Sequence, residues 1–208
     1  MVSMPPQLPK PLLDRLTKQF GESAVRRVIA DCSVARLPTL RVNTLNATDD
    51  TVMQAFRDDA IQFERVKGIP HAFTIKNRTD RQLLEHQLAS TGKIYLQGLT
   101  SMLPPIVMDP KPGMTVLDLC AAPGSKTSQI AAMMGLGASG EAQGASRAIV
   151  ACEENSVRVE KLRNTIQIQG ANVDVRCTDS TVLHHELPEY FDMILADVPC
   201  SAEGRMNP

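Results

Sequence analysis

The sequence predicts an α/β protein with a doubly wound parallel sheet, preceded by a small α+β domain. From residue 92 onward, short apolar segments alternate with helical segments, which is typical of parallel strands joined by helices. A turn of small residues follows one of these strands. The region before residue 92 mixes helices and strands without that alternation. We therefore expect one domain over residues 1–91 and a second over 92–208.

Composition places the chain among globular proteins. Of its 208 residues 43% are hydrophobic and 22% are charged, values that exclude a disordered chain, a collagen-like chain and a coiled coil. There is no apolar run of ~18 residues, so we expect no membrane span. The proline-rich first eleven residues do not form a secretory signal. The five cysteines are widely spaced and include no CxxC pair. They predict reduced thiols in the cytoplasm rather than disulfides or a metal site.

Charge is distributed unevenly along the chain. Residues 1–92 carry 13 Lys and Arg against 10 Asp and Glu, and residues 93–208 carry 9 against 13. This balance fits an RNA-contacting region joined to a catalytic one, although chance would also produce it. We expect phosphate contacts from Arg26, Arg27, Arg36 and Arg41. The chain has five Phe, two Tyr and no Trp. We therefore do not expect base stacking on aromatic rings to be the main mode of RNA binding.

The elements before residue 92 follow from hydrophobic periodicity and breakers. Residues 12–30 predict two short helices that Gly21 separates. A strand is expected over 40–44, and a helix starts at Thr48, where acids follow the cap. Strands over 61–67 and 71–76 and one helix over 80–88 complete the region.

The elements after residue 92 alternate. A short strand or turn is expected over 93–97, then a helix over 99–108, with Pro104 and Pro105 near its start or kinking it. Further strands are expected over 115–119, 147–152, 173–177 and 192–196. Helices are expected over 126–134 and 156–169. Residues 135–146 are rich in glycine and predict a surface loop.

The most informative stretch is VLDLCAAPGSKT, in which a strand, a small-residue turn and a helix start follow one another. Small residues and Gly124 let the backbone approach a ligand, and a helix start offers free N–H groups. This predicts a nucleotide-type pocket. A phosphate-binding P-loop would need glycine at Leu119, and the dinucleotide fingerprint GxGxxG is absent. A plain strand-to-helix turn is the alternative.

The later strands also end in polar residues. Glu153, just past the second strand, is placed to accept from ribose hydroxyls, or it caps the next helix. Asp179 follows the third strand and either accepts from the adenine amine or caps a turn. Asp197, Pro199 and Cys200 follow the fourth strand, where the thiol projects over the pocket or is an inert buried cysteine.

DLCAAPGSKT together with DVPCSAEGR resembles the Sun/Fmu-type RNA cytosine-C5 methyltransferases, the group of RsmB, RsmF and eukaryotic nucleolar homologues. LRVNTLN, YLQGLTSMLPPIVMDPKPG and ACEENSVRVEKLRNTIQIQGANV are also similar to that family, so the resemblance covers the chain from about residue 36. It implies a Rossmann-like class I methyltransferase fold and S-adenosylmethionine as the cofactor. The implied substrate is RNA, ribosomal before transfer RNA. The resemblance also implies a cytoplasmic protein that needs neither metal nor membrane.

The resemblance assigns roles to particular residues. A cofactor-wrapping turn would be formed by Cys120, Ala121, Ala122, Pro123, Gly124, Ser125 and Lys126. Glu153 would hold the ribose, Asp179 would face the adenine, and Asp197 would close the site near the transferred methyl group. Arg158 would help near the ribose, or it is a helix surface charge. Ser125 replaces a usual glycine and fits if its φ is negative.

The same resemblance gives Cys200 the release of a covalent RNA adduct. The attacking nucleophile would be another cysteine, in a Thr-Cys-Ser segment after the next strand, and the 208 residues contain no such segment. We therefore expect a C-terminally incomplete sheet and a fragment that is inactive alone.

The alternative is a non-catalytic RNA-binding or ribosome-assembly factor. An amino-methyltransferase would show Asn/Asp-Pro-Pro-Tyr at residues 197–200, and a DNA cytosine enzyme Pro-Pro-Cys-Gln.

Overall fold

Two four-stranded sheets organise the protein. The computed structural model describes residues 9–32, 36–138 and 148–199. Backbone contacts divide the chain into two compact units, one of which is residues 37–198 and contains both sheets.

Two helices lie outside that unit, α1 (Lys10–Phe20) and α2 (Glu22–Cys32). Gly21 ends α1 with a φ of 81°, a conformation that favours glycine, and its N–H donates to the Thr17 carbonyl at 2.9 Å. The predicted pair of helices with a break at Gly21 is confirmed. Arg26 and Arg27 on α2 are exposed.

The first sheet is antiparallel, with strand order β2-β3-β1-β4. Its strands are β1 (Thr39–Val42), β2 (Phe63–Arg65), β3 (Ala72–Ile75) and β4 (Ile94–Leu96). Helix α3 (Asp49–Asp58) begins at a capping box between Thr48 and Thr51. Its Phe56 packs with Phe63 and Phe73 in the core of this sheet.

The single helix expected over 80–88 is wrong. The chain forms two short helices there, α4 (Asp80–Leu84) and α5 (Gln87–Ser90). His86 breaks the run because its Nδ1 accepts from the Leu88 N–H at 3.1 Å and so caps α5. Its Nε2 lies 3.0 Å from an Asp59 carboxylate oxygen, a partner that is distant in sequence.

The second sheet is parallel, with strand order β7-β6-β5-β8, which confirms the predicted doubly wound fold. Its strands are β5 (Val116–Asp118), β6 (Ile149–Glu153), β7 (Asp174–Cys177) and β8 (Met193–Leu195). The helices of this region are α6 (Leu99–Met108), α7 (Ser125–Met134), α8 (Ser156–Gln169) and α9 (Leu183–Glu186). The chain proceeds outward from β5 to β7 and then returns to the other side of β5. The strand order therefore reverses at β5, where such sheets bind ligands.

Pro104 and Pro105 lie inside α6 rather than near its start. A proline cannot donate to the carbonyl four residues before it, so Pro105 leaves the Ser101 carbonyl free. The Gln97 side chain donates to that carbonyl at 3.0 Å. The Gln129 side chain donates to the next carbonyl, of Met102, also at 3.0 Å. Side chains from outside the helix thus support its proline-containing turn.

The two sheets are joined by a cluster of backbone carbonyls and asparagine amides. Asn43 Nδ2 donates to the carbonyls of Gly92 and Gln169 at 2.8 Å each, and Asn46 Nδ2 donates to the same two at 3.2 and 3.1 Å. A Cβ on residue 92 would lie 1.9 Å from the Ile168 carbonyl oxygen. The end of α8 therefore packs directly against the backbone that leads into β4.

Strand β4 lies beyond residue 91 and pairs with β1, so the first sheet extends to Leu96. Within the described ranges, no helix is long and apolar enough to cross a membrane. In the same ranges, no group of three or more His, Cys, Asp or Glu side chains is arranged to hold a metal ion.

Candidate functional site

The turn between β5 and α7 is held against the neighbouring strand and helix. The Ala121 N–H donates to the Cys152 carbonyl of β6 at 2.9 Å, and the Gly124 N–H closes the turn on the Ala121 carbonyl at 2.7 Å. Gly124 has a φ of 103°, and a Cβ there would lie 3.0 Å from Leu162 Cδ1. Backbone conformation and close packing therefore both require glycine at this position.

The start of α7 directly follows Gly124. Ser125, the first residue of the helix, does not have a positive φ, so the serine in place of a second glycine introduces no strain. Glycine offers no side-chain cap, which leaves the N–H groups of the first turn available to an anionic group.

Asp118 ends β5 beneath the turn and was not among the residues that the sequence singled out. Its side chain is 1% exposed; Oδ2 accepts from Thr127 Oγ1 at 2.7 Å, and Oδ1 accepts from the Cys120 N–H at 3.4 Å. Burial raises the pKa of Asp118 to about 6. The sequence feature that could have identified it is an acidic residue within an apolar strand. Burial of a charged carboxylate there is unfavourable unless the residue has a structural or functional role.

Two predicted site residues, Lys126 and Asp197, form an ion pair. Lys126 Nζ lies 2.6 Å from Asp197 Oδ2. The lysine side chain is 14% exposed and the aspartate side chain 53%, so the pair lies at the rim of the site. It joins the first turn of α7 to the segment after β8.

Glu153 ends β6 and is 5% exposed. Its carboxylate accepts from the Asn155 N–H at 3.0 Å and pairs with Arg158 Nη1 at 3.0 Å. Arg158 Nη2 donates to the Ala122 carbonyl at 3.0 Å, so this arginine links Glu153 to the turn and is not merely a surface charge. The cap of α8 is Asn155 rather than Glu153, whereas Glu154 is exposed.

Asp179 lies after β7 and is exposed. Its Oδ1 accepts from the Thr181 N–H at 2.8 Å, and so it caps the short 3₁₀ helix Ser180–Val182. This backbone hydrogen bond lowers the pKa of Asp179. The capping role foreseen as an alternative is therefore present, and a carboxylate has enough lone pairs to accept from a further donor beside Thr181.

Three cysteines lie among the described side chains, and the environments of two of them, Cys120 and Cys152, disfavour a thiolate. Burial and the charges of Asp118 and Glu153 raise the pKa of Cys120, and burial raises that of Cys152 to about 12. Cys177 is exposed, and its Sγ donates to the Glu154 carbonyl at 3.8 Å. Because the thiolate is the nucleophile, raised pKa values make Cys120 and Cys152 poor ones.

Cys200, the predicted catalytic residue, lies outside the described residues, as does most of the predicted loop over 135–146. The side chain of Cys32 is also outside them.

Arg41 corrects the predicted set of phosphate contacts, because it is only 3% exposed. Its Nη2 donates to Ser128 Oγ at 2.7 Å and to the Ser125 carbonyl at 3.3 Å, and its Nε donates to Gln97 Oε1 at 2.9 Å. Burial lowers the pKa of Arg41 to about 10. Arg41 therefore connects the first sheet to the start of α7.

Two family models match the chain. The model of the 16S rRNA methyltransferase RsmB/F matches residues 105–207. The model of the RsmF/B-like ferredoxin-like domain matches residues 8–82. Together they include both described sheets except β4, and the whole of the turn between β5 and α7.

The chain is also similar to individual proteins of the same family. The ribosomal RNA small subunit methyltransferase F of Shewanella loihica is 34% identical over 97% of this chain and 41% of its own length. The 25S rRNA (cytosine-C(5))-methyltransferase NSUN5 of Arabidopsis thaliana is 34% identical over 81% of this chain and 28% of its own length. A solved structure of a methyltransferase homologue from Pyrococcus horikoshii has a TM-score of 0.73 and 30% identity, and the match covers 93% of this chain and 64% of that one.

The chain therefore spans 41% of the Shewanella protein's length. The parallel strand order, the glycine turn after β5 and the two matching models show that the chain belongs to the RsmB/F family of ribosomal RNA methyltransferases.

Proposed function

We propose that this chain binds S-adenosylmethionine in the turn Cys120–Lys126 and serves to transfer its methyl group to C5 of a cytosine in RNA. The observation that carries the proposal is that the turn, Glu153 and the Lys126–Asp197 pair lie at the carboxyl ends of three adjacent parallel strands. In open α/β sheets this edge is where ligands bind.

The residues present fit that cofactor. The first turn of α7 offers N–H groups to a carboxylate such as that of the methionine part. Glu153 has hydrogen bonds from Asn155 and Arg158, and its oxygens still have capacity for hydroxyl donors such as those of a ribose. The exposed carboxylate of Asp179 can accept from an amine as well as from Thr181.

The chemistry of cytosine determines which groups the methyl transfer requires. S-adenosylmethionine supplies an electrophilic methyl group, but C5 of cytosine is a weak nucleophile. In such a reaction a thiolate would add to C6 and make C5 electron-rich, so that C5 could take the methyl group and release the uncharged thioether. A base would then remove the C5 proton, and the C6–S bond would break as the thiolate leaves.

The family resemblance gives Cys200 the release step and gives the attack to a cysteine in a Thr-Cys-Ser segment. The 208 residues contain no such segment. Asp197, paired with Lys126, would face the methyl group and the target base. Binding of cofactor and RNA is therefore the direct measurement for these residues.

Ribosomal RNA is the proposed substrate class, with transfer RNA as the second choice. The two relatives described above are named for ribosomal RNA, and the excess of basic residues in 1–92 suits a polyanion. We assign RNA contact to residues 1–91 and cofactor chemistry to residues 92–208. A bacterial ribosomal RNA substrate would place the protein in the cytoplasm.

The cofactor assignment is tested by calorimetric titration with S-adenosylmethionine. Glu153→Gln should weaken binding ~10-fold or more, because hydrogen bonds to a charged acceptor contribute about 1.5–3 kcal/mol. The matched control is Glu154→Gln, which removes the adjacent, exposed carboxylate and should leave affinity unchanged. Equal affinities of the wild type and Glu153→Gln would contradict the assignment.

A further inference from the structure

Carboxylates follow the strand ends around the proposed cofactor turn at four positions, Asp118, Glu153, Asp179 and Asp197. Two of them have cationic partners, since Glu153 pairs with Arg158 and Asp197 with Lys126. Asp179 is exposed to solvent. Asp118 differs from all three, because it is buried and no Lys, Arg or His side chain among the described residues lies within 4.0 Å of it.

The hydrogen bonds of Asp118 go to the two ends of the turn. Thr127 Oγ1, on the first turn of α7, donates to one carboxylate oxygen at 2.7 Å. The Cys120 N–H, where the turn begins, donates to the other at 3.4 Å. A single carboxylate therefore fixes both ends of the segment that would wrap the cofactor.

Several charged and titratable groups face Asp118 from the elements around it, namely Cys120 in the turn, Lys126 on α7, Cys152 on β6 and Asp197 after β8. Lys126 stabilises the ionised form of Asp118, whereas Asp197 disfavours it. Lys126 is itself bound to Asp197, so the negative charge of Asp118 is left without a dedicated counter-charge. Burial of such a charge is costly unless a ligand supplies the opposite sign.

We propose that Asp118 is a positioning and specificity-determining residue, whose buried negative charge favours the positively charged sulfonium cofactor over its uncharged thioether product. The inference rests on the proposed function and deepens it. S-adenosylmethionine carries one positive charge more than S-adenosylhomocysteine, and the two are otherwise nearly identical in shape. A buried anion beneath the turn thus holds the cofactor and lets the product leave.

The preference must depend on pH, because protonation of Asp118 removes the charge. Burial places the pKa of this carboxyl at about 6 in the free protein. A cation that binds only the ionised form should bind ~10-fold more weakly at pH 5 than at pH 7.5. The affinity for S-adenosylhomocysteine should change less, so the ratio of the two affinities should rise with pH and level off above about pH 7.

The experiment is calorimetric titration of the 208-residue protein with each of the two ligands from pH 5 to pH 8. Asp118→Asn keeps an oxygen for the Thr127 hydroxyl, loses the acceptor of the Cys120 N–H and removes the charge. The step near pH 6 should therefore disappear, and the ratio should become constant. The matched control is Asp192→Asn. Asp192 also accepts from a threonine, Thr115, through Oγ1 at 2.9 Å, but it is exposed and far from the turn in sequence.

A second variant keeps the test valid if Asp118→Asn does not fold. Thr127→Val removes a hydrogen bond that lowers the pKa of Asp118, so the step should move to higher pH. A pH-dependent change in the affinity ratio would shift in this way only if it is caused by the titration of Asp118. The Asp192→Asn control should show the wild-type step.

The outcomes separate this inference from the proposed function. Binding of both ligands with a pH-independent ratio overturns the role of Asp118 alone, as does a step that persists in Asp118→Asn. No binding of either ligand at any pH overturns the proposed function and this inference with it.

Discussion

Arg41 Nη2 donates to Ser128 Oγ at 2.7 Å, and both residues are buried. The hydroxyl in turn donates to the Gly124 carbonyl at 2.7 Å. A guanidinium from the first sheet is thereby connected, through one serine, to the glycine of the proposed cofactor turn.

This relationship predicts strong coupling between the two side chains. Ser128→Ala leaves a buried guanidinium with fewer acceptors and should lower the free energy of unfolding by ~1–3 kcal/mol. In an Arg41→Met background the same substitution should cost clearly less, because no guanidinium remains to be left unpaired. Urea unfolding of the four proteins in this double-mutant cycle gives the coupling energy. Ser90→Ala, at an exposed serine, is the control, and additive effects of the two substitutions would contradict the connection.

The raised pKa of Asp118 predicts a stabilising substitution. The folded protein binds this proton more tightly than an unfolded chain, whose carboxyl has a pKa near 3.8, because burial raises the folded value to about 6. The cost of ionisation is therefore absent below about pH 4 and complete above pH 6. Asp118→Asn should raise the free energy of unfolding of the ligand-free protein by ~1–3 kcal/mol at pH 7.5.

Urea unfolding at pH 7.5 and at pH 4 measures the effect. Near pH 4 the variant and the wild type should differ little, and Asp192→Asn should stabilise the protein at neither pH. An Asp118→Asn protein that is less stable at pH 7.5, with no matching loss at pH 4, would show that the charge supports the fold rather than a ligand.

The exposed arginines of α2 are predicted to contact RNA phosphates. Replacement of both Arg26 and Arg27 by Gln should weaken RNA binding and lower the slope of log affinity against log salt by up to ~1.4, at ~0.7 per phosphate contact with single strands. Filter binding at several salt concentrations measures both quantities. The control is Arg65→Gln, which removes an arginine of the first sheet whose 2.7 Å ion pair with Asp49 is shorter than the 3.6 Å pair of Arg26 with Glu22. An unchanged salt slope in the double variant would exclude α2 from the interface.

The role of Cys200 is tested by trapping with RNA that contains 5-fluorocytosine. If Cys200 acts in release, the 208-residue protein should bind this RNA without forming a covalent adduct. If Cys200 is the nucleophile, a band that survives denaturing electrophoresis should form with the wild type and be lost in Cys200→Ala. Filter binding of the same RNA establishes that the protein binds it. A missing band then means that no covalent bond formed, rather than that the RNA was not bound.

Local sequence patterns were sufficient for the second sheet and for much of the site. Val116–Asp118 and Ile149–Glu153 are apolar strands bounded by clear turn residues, and the glycine turn connects the first of them to α7. Glu153 could be selected over Glu154 because it is nearer to the strand end. In the structure the first of these acids is buried and the second is exposed.

The predictions from sequence were wrong or incomplete where burial and side-chain contacts determine the position of a residue. Alternation in β1 suggested that Arg41 points outward, but both faces of this strand are covered, and its partners lie more than fifty residues away. Pro105 lies inside α6, where the Gln97 side chain, just before the helix, donates to the carbonyl that this proline leaves without its helical donor. Asp118 was overlooked because its importance depends on burial, which the residue pattern alone does not report.

The asparagine cluster at the junction of the sheets has a mechanical consequence. Asn43 and Asn46 hold the same two carbonyls, of Gly92 and Gln169, and Gly92 has no room for even one more carbon. The two sheets therefore cannot rotate against each other without breaking the two hydrogen bonds to the Gln169 carbonyl, one from each asparagine. The first sheet and the helix that packs behind the proposed cofactor turn should therefore move as one body rather than as two hinged domains.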